Sequence, residues 1–119
     1  GTPHRGAELA ALRIQDWSYG AFLGREGAPA ELVPGDPIYR ELRRLDEIQI
    51  GVLAGGLADD RGYSDEIPGD DDHRVAVEEA RLPEQDAFRL VPLGHFSLTF
   101  DRIAIESIRR YLADASFGA

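Results

Sequence analysis

Residues 47–55 read EIQIGVLAG and give the first indication of the fold. The apolar residues of this stretch alternate at first and then run continuously, which is typical of a strand that enters a buried parallel sheet. A second apolar stretch, residues 87–93 (AFRLVPL), predicts another strand. Since helices are predicted on both sides of these strands, over residues 8–14, 36–45 and 100–113, the order of elements is that of an α/β protein.

The predicted helices rest on apolar spacing and on capping residues. Asp36 and Pro37 suit the N-cap and the first helical position of the second helix. The last helix is amphipathic, and we expect its inward face to carry Ile103, Ala104, Ile108, Tyr111 and Leu112. Between the strands, residues 57–73 are predicted to form a polar loop, and residues 75–77 a short strand or a turn.

Residues 14–35 form a long excursion that mixes glycine and proline with large apolar residues. Such side chains can cover a hydrophobic pocket as a lid or an acyl-binding wall. An equally good interpretation is a satellite core beneath the excursion. The large apolar residues concerned are Trp17, Tyr19, Phe22 and Leu23.

The 119 residues allow a single domain, spanning 1–119, and their composition narrows its partners. A net charge of −9 argues against nucleic-acid binding, because the phosphate groups would be repelled. Since the chain has no cysteine, disulfides and thiolate metal sites are excluded. No apolar run reaches the roughly 18 residues that a membrane-spanning helix needs.

Two polar residues follow the predicted strands. Asp72 comes after the first strand through the long loop, and His95 lies immediately past the second. In parallel sheets, the chemistry takes place at the carboxyl ends of the strands. An acid followed by a histidine is also the chain order at the end of many serine hydrolases, in which the serine comes earlier. None of the five serines stands in a G-x-S-x-G setting; they are Ser18, Ser64, Ser97, Ser107 and Ser116.

Three stretches of the chain resemble the C-terminal half of an α/β-hydrolase of the lipase/esterase type. Residues 1–10 (GTPHRGAELA) are similar to the segment that follows the strand after the nucleophile elbow. Residues 68–78 (PGDDDHRVAVE) are similar to the loop that carries the catalytic acid. Residues 93–96 (LGHF), together with the terminal helix, are similar to the histidine loop and last helix of that fold. The three stretches occur in the family's order and span nearly the whole chain.

The resemblance implies a partial α/β-hydrolase fold with Asp72 as the triad acid and His95 as the triad base, acting on an ester or lipid-like substrate with no cofactor and no metal. The nucleophilic serine is then expected on a missing or separate N-terminal segment, so the chain alone is expected to be inactive. The absence of methionine, even at position 1, also leads us to expect a fragment. The family has glycine after the acid, where this chain has His73, which leaves Asp71 as an alternative acid.

Other interpretations stay open at the level of sequence. The chain can be a non-catalytic hydrolase remnant that associates with itself through an exposed sheet edge at residues 48–54. The seven acidic residues within 59–72 also allow a calcium site, although they lack the spacing of a calcium loop. His4 and Arg5 are expected to hold a turn, and His73 is expected to face solvent.

Overall fold

Two neighbouring parallel strands form the centre of the computed structural model of this protein. Strand β1 spans Gly51–Gly55 and strand β2 spans Ala87–Val91. They pair in parallel, with Gly51 opposite Ala87 and Gly55 opposite Val91. The carboxyl ends of the two strands therefore lie side by side, and the prediction of an α/β fold with a parallel sheet is confirmed.

The structure describes residues 2–16, 18, 28–41 and 47–118. Its helices are α1 Glu8–Arg13, α2 Ala28–Glu31, α3 Ile38–Glu41, α4 Val77–Ala80 and α5 Arg102–Asp114, with a short 3-10 helix at Ser97–Thr99.

Helix α3 begins where the capping residues predicted. Asp36 Oδ1 accepts the N–H of Ile38 at 2.9 Å, which satisfies one of the unpaired donors of the first turn. Residues 42–46 of the predicted helix lie outside the described residues. The same holds for Trp17, Tyr19, Phe22 and Leu23, on which the lid interpretation depends.

Apolar clusters cover both faces of the sheet. Because side chains alternate along a strand, Val52 and Ala54 of β1 share one face while Leu53 belongs to the other. The first face packs against Val75 and Ala80, which flank and end helix α4. The cluster on the second face brings in helix α5 and consists of Leu53, Val91, Leu93, Leu98 and Ala104. The two strands and helix α4 thus form a small β–α–β unit, and a loop follows the carboxyl end of each strand.

Glu79 of helix α4 ties the N-terminal segment to the rest of the fold. Its Oε1 accepts the N–H of Glu8, at the start of helix α1, at 2.5 Å. Its Oε2 accepts the N–H of Ala76 at 2.9 Å, and its carbonyl oxygen accepts the N–H of His4 at 3.1 Å. Leu9 of α1 then packs against Ile67 and Ala76. One glutamate therefore orders two segments that are about 70 residues apart in the chain.

Two expectations at the level of elements differ from the structure in part. Of residues 75–77, predicted as a short strand or a turn, Ala76 forms an isolated antiparallel bridge with Asp71, whereas Val77 begins helix α4, whose first turn the Glu79 carboxylate holds. The inward face of α5 is also narrower than predicted, since this helix buries Ala104 and Ser107, whereas Leu112 is 78% exposed. The exposed large apolar residues of α5 are Ile103, Ile105, Ile108 and Leu112.

Within the part of the chain that the structure describes, no helix has the length and apolar character needed to cross a membrane.

Candidate active site

Asp72 and His95 meet beyond the carboxyl ends of β1 and β2. His95 Nδ1 lies 2.9 Å from Asp72 Oδ2. The backbone N–H of His95 also donates to the carbonyl oxygen of Asp72 at 2.7 Å. The loop after β1 is therefore joined to the loop after β2 by main chain as well as by side chain. The two residues that the sequence singled out lie in direct contact.

The close approach of these loops depends on Gly55, the last residue of β1. A Cβ at this position would collide with the carbonyl oxygen of Leu93 and would come within 3.0 Å of the Asp72 Cβ. Glycine, which has no Cβ, removes the collision. This role of Gly55 was not predicted from the sequence, although a glycine within an apolar strand is a signal of a close backbone approach.

Asp72 is a fixed and charged hydrogen-bond acceptor. It is 0% exposed, and its Oδ1 accepts the N–H groups of Arg74 at 3.1 Å and Val75 at 2.9 Å. Burial alone raises the pKa of a carboxyl group. Here hydrogen bonds to its oxygens, among them those with His95 and the N–H of Val75, outweigh burial, so the pKa of Asp72 lies below its ordinary value. Asp72 is therefore ionised at neutral pH.

Asp71, the alternative acid, faces a different part of the loop. Its Oδ2 accepts the N–H of Ser64 at 3.0 Å, and its Oδ1 accepts the N–H of His73 at 2.6 Å. Both oxygens thus bind main-chain donors of the loop itself. Asp70 acts in a similar way on the residues after β1, since its two oxygens accept the N–H groups of Leu57 and Ala58 at 2.7 and 2.8 Å. Of the three acids, it is Asp72 that contacts His95.

His73 occupies a backbone conformation that favours glycine. Its φ is +82°, in the left-handed region, where a Cβ is crowded by the neighbouring carbonyl. The ring packs against Tyr63 in a tilted arrangement, with a centroid distance of 4.7 Å, and lies against Gly94. As predicted, His73 is exposed. The position at which the resembling family has glycine is therefore one where this chain tolerates a strained histidine.

The Asp72 carboxylate decides which nitrogen of His95 is left for chemistry. An ionised carboxylate can only accept, so Nδ1 carries the proton and Nε2 keeps its lone pair. Nε2 makes no hydrogen bond with any residue that the structure describes, and the His95 side chain is 35% exposed. This nitrogen can take a proton from a hydroxyl group that approaches from the solvent side.

A cavity of about 840 Å³ opens beside His95. This size suits a small organic ligand. Its walls are largely apolar and include Ala7, Leu9, Leu32, Val75 and Phe96. The cavity is built where helix α1 and the acid loop meet, the junction that Glu79 holds together. An apolar group can therefore bind next to the free nitrogen of His95.

No serine in the described ranges is bonded to His95. The Ser18 hydroxyl donates to Asp16 at 2.7 Å, and the Ser107 hydroxyl donates to the carbonyl oxygen of Ile103 at 2.6 Å. The site thus holds an acid and a base, and the described residues supply no serine hydroxyl that is hydrogen-bonded to His95.

The described side chains include no group of three or more potential ligands arranged to hold a metal ion. The acidic run is engaged with backbone N–H groups instead; Asp59 Oδ1, for example, accepts those of Arg61 and Gly62 at 2.9 and 2.7 Å. Comparison of the chain with protein-family models, with curated proteins and with solved structures gives no match. The geometry of the acid–histidine pair is accordingly the basis for any functional assignment.

Proposed function

We propose that this chain supplies the acid and the base of a serine-dependent carboxylic ester hydrolase with an α/β-hydrolase fold. The nucleophilic serine is carried by a segment outside these 119 residues. The observation that supports the proposal best is the 2.9 Å contact between Asp72 and His95 at the adjacent ends of two parallel strands. The chain order, strand then acid then strand then histidine, is the order that this class of enzyme uses.

The reaction then follows from the protonation of the pair. His95 Nε2 accepts the proton of the serine hydroxyl while the serine oxygen forms a bond to the carbonyl carbon of the ester. The imidazolium returns this proton to the leaving alcohol, and a water molecule activated by the same nitrogen releases the acid and restores the serine. Asp72 remains ionised, holds the ring in the Nδ1–H tautomer and stabilises the imidazolium.

A fluorophosphonate probe tests the proposal, because it reacts with activated serines. The protein is purified from its source without separating associated chains, treated with the probe and analysed by intact mass. We expect a label on a serine that lies outside residues 1–119. An unlabelled 13.1 kDa species with no labelled companion would contradict the proposal.

A variant links the label to this site. Replacing His95 with Ala should lower ester turnover by about 10³-fold or more, because the general base is lost. His4→Ala serves as the matched control, since it removes an imidazole that belongs to the N-terminal segment and should leave kcat unchanged. Equal turnover in wild type and His95→Ala would refute the assigned role.

A second candidate function is self-association without catalysis. No described strand pairs with the edge of β1 that faces away from β2. Ile48, which precedes β1 in the chain, is exposed, as are Ile105 and Ile108 on α5. Unpaired strand edges with apolar neighbours invite pairing with another chain. Light scattering would then give twice the 13.1 kDa mass of one chain, and a monomer at every concentration would exclude this function.

A further inference from the structure

A second cavity, of about 540 Å³, also borders His95. Arg74, His95 and Phe96 line both this cavity and the apolar one of about 840 Å³. The remaining walls of the second cavity include the polar side chains of Tyr63, His73 and Ser97. A ligand that occupied both cavities would therefore contact a largely apolar wall in the first and a larger share of polar side chains in the second.

The side chain of Arg74 has no partner among the residues that the structure describes. Its guanidinium makes no hydrogen bond or ion pair with any described residue, although the chain carries a net charge of −9. Other arginines do find carboxylates: Arg13 lies 2.8 Å from Glu66, and Arg81 lies 3.0 Å from Glu78. The backbone of Arg74 is meanwhile fixed beside the active pair, because its N–H donates to Asp72 Oδ1.

The second cavity has the composition of an anion site. Its described walls contain one arginine, two histidines and two hydroxyl groups, and none of the side chains that line it is a carboxylate. A guanidinium fork binds the oxygens of a carboxylate or a phosphate in pairs, and hydroxyl groups add further donors. An anionic group that binds Arg74 would not have to displace an ion pair of this arginine with any described residue.

We propose that Arg74 is a specificity-determining residue that binds an anionic group of the substrate in the second cavity while an apolar chain occupies the first. The substrate class is then an amphiphilic ester that carries a carboxylate or a phosphate. The claim that this ligand is a substrate rests on the proposed hydrolase function. The claim that the ligand binds to Arg74 does not depend on that function.

Binding to the chain itself provides the test, because it needs no serine. Calorimetric titration is carried out with octyl phosphate, octanoate, octanol and inorganic phosphate. We expect an octyl anion to bind at least about tenfold more tightly than octanol or phosphate alone, since a charge-assisted hydrogen bond adds to apolar burial. The ranking of octyl phosphate against octanoate identifies which anionic group the site prefers.

Variants locate the effect. Arg74→Gln should weaken binding of the preferred octyl anion about tenfold and leave octanol unchanged, whereas Arg74→Lys should recover part of the loss, because a point charge replaces the fork. Arg61→Gln is the matched control, an exposed arginine of the same loop that lines neither cavity. The ring-nitrogen NMR signals of His73 and His95 should move during the titration in wild type.

Unchanged affinity in Arg74→Gln, or an equal loss in Arg61→Gln, would overturn the proposal, since the second result would show general charge attraction. The fluorophosphonate experiment is independent of this one. A failure of labelling leaves the anion site standing, and a failure of binding leaves the acid–base pair standing.

Discussion

Asp70, Asp71 and Asp72 follow one another in the chain, yet each binds a different part of the molecule. Together they accept hydrogen bonds from the main-chain N–H groups of a loop that belongs to no helix or strand. N–H groups within a fold need such partners, and here the aspartates provide them. The sequence could identify the run and the acid–histidine pair. It could not predict which of the three aspartates contacts which part of the molecule. In an irregular loop, the directions of neighbouring side chains depend on the turns of the backbone.

The first prediction concerns the ring of His95. In Asp72→Asn, the amide oxygen should stay on the N–H groups of Arg74 and Val75, so the amide NH₂ faces Nδ1. The ring must then accept at Nδ1 and carry its proton on Nε2, which is the wrong tautomer for a general base. Ring ¹⁵N chemical shifts of the chain should show this exchange. Asp70→Asn is the control, and an unchanged tautomer in Asp72→Asn would contradict the proposed role.

A second prediction at this scale concerns the strain at His73. Glycine should give a free energy of unfolding about 1 kcal/mol higher than alanine at this position, because both lose the ring contact with Tyr63 but only glycine relieves the positive φ. Gly69→Ala should lower the free energy of unfolding for the same reason, since φ is +81° at Gly69 and open space surrounds it, so that only the backbone conformation is strained. Urea unfolding measures both. Equal stabilities of the two His73 variants would show that the conformation is not strained.

At the scale of elements, the sequence predicted both strands and the outer helices but not how they are used. The continuous apolar run up to Gly55 was sufficient for a parallel strand, whereas helix α4 depends on Glu79 reaching back to Ala76, a contact that apolar periodicity does not reveal. The buried face of α5 is narrower than predicted. An amphipathic pattern locates the apolar stripe of a helix, but the elements packed against the helix determine how much of that stripe is buried.

The junction of the two strand ends gives the prediction for this scale. Gly55→Ala should lower the free energy of unfolding by about 3 kcal/mol, because the new methyl group meets the backbone of Leu93 and cannot be relieved by a rotamer change. It should also weaken the contact between Asp72 and His95. Leu57→Ala, at an exposed neighbouring position, should cost less than about 0.5 kcal/mol. Chemical denaturation compares the two, and similar losses would argue against the collision.

At the scale of the whole molecule, two carboxylates are among the most buried side chains of the residues that the structure describes. Asp71 and Asp72 are both 0% exposed, while several apolar residues on the surface are not covered. Buried charge is tolerated only where hydrogen bonds replace water, and the loop supplies those bonds. The stability of the domain is therefore tied to the ionisation of its site.

The corresponding prediction is a loss of stability in acid. The pKa of Asp72 in the folded chain lies below its ordinary value of 3.8, so its contribution is complete above that pH and disappears as the pH falls through the folded pKa. The difference in unfolding free energy between wild type and Asp72→Asn should therefore shrink between about pH 5 and the acid limit. Urea unfolding at a series of pH values measures it. A constant difference would mean that Asp72 does not titrate as expected.

The main-chain bond between His95 and Asp72 has a consequence for an emptied site. That bond does not involve the imidazole, so the loops stay joined when the ring is removed. In His95→Ala, a ring-sized vacancy would then face the ionised Asp72 carboxylate beside an open cavity. A dissolved imidazole has the right shape and the right proton to occupy it. The proposed acid–base pair should therefore be open to chemical rescue, with a small-molecule base replacing the covalently attached one.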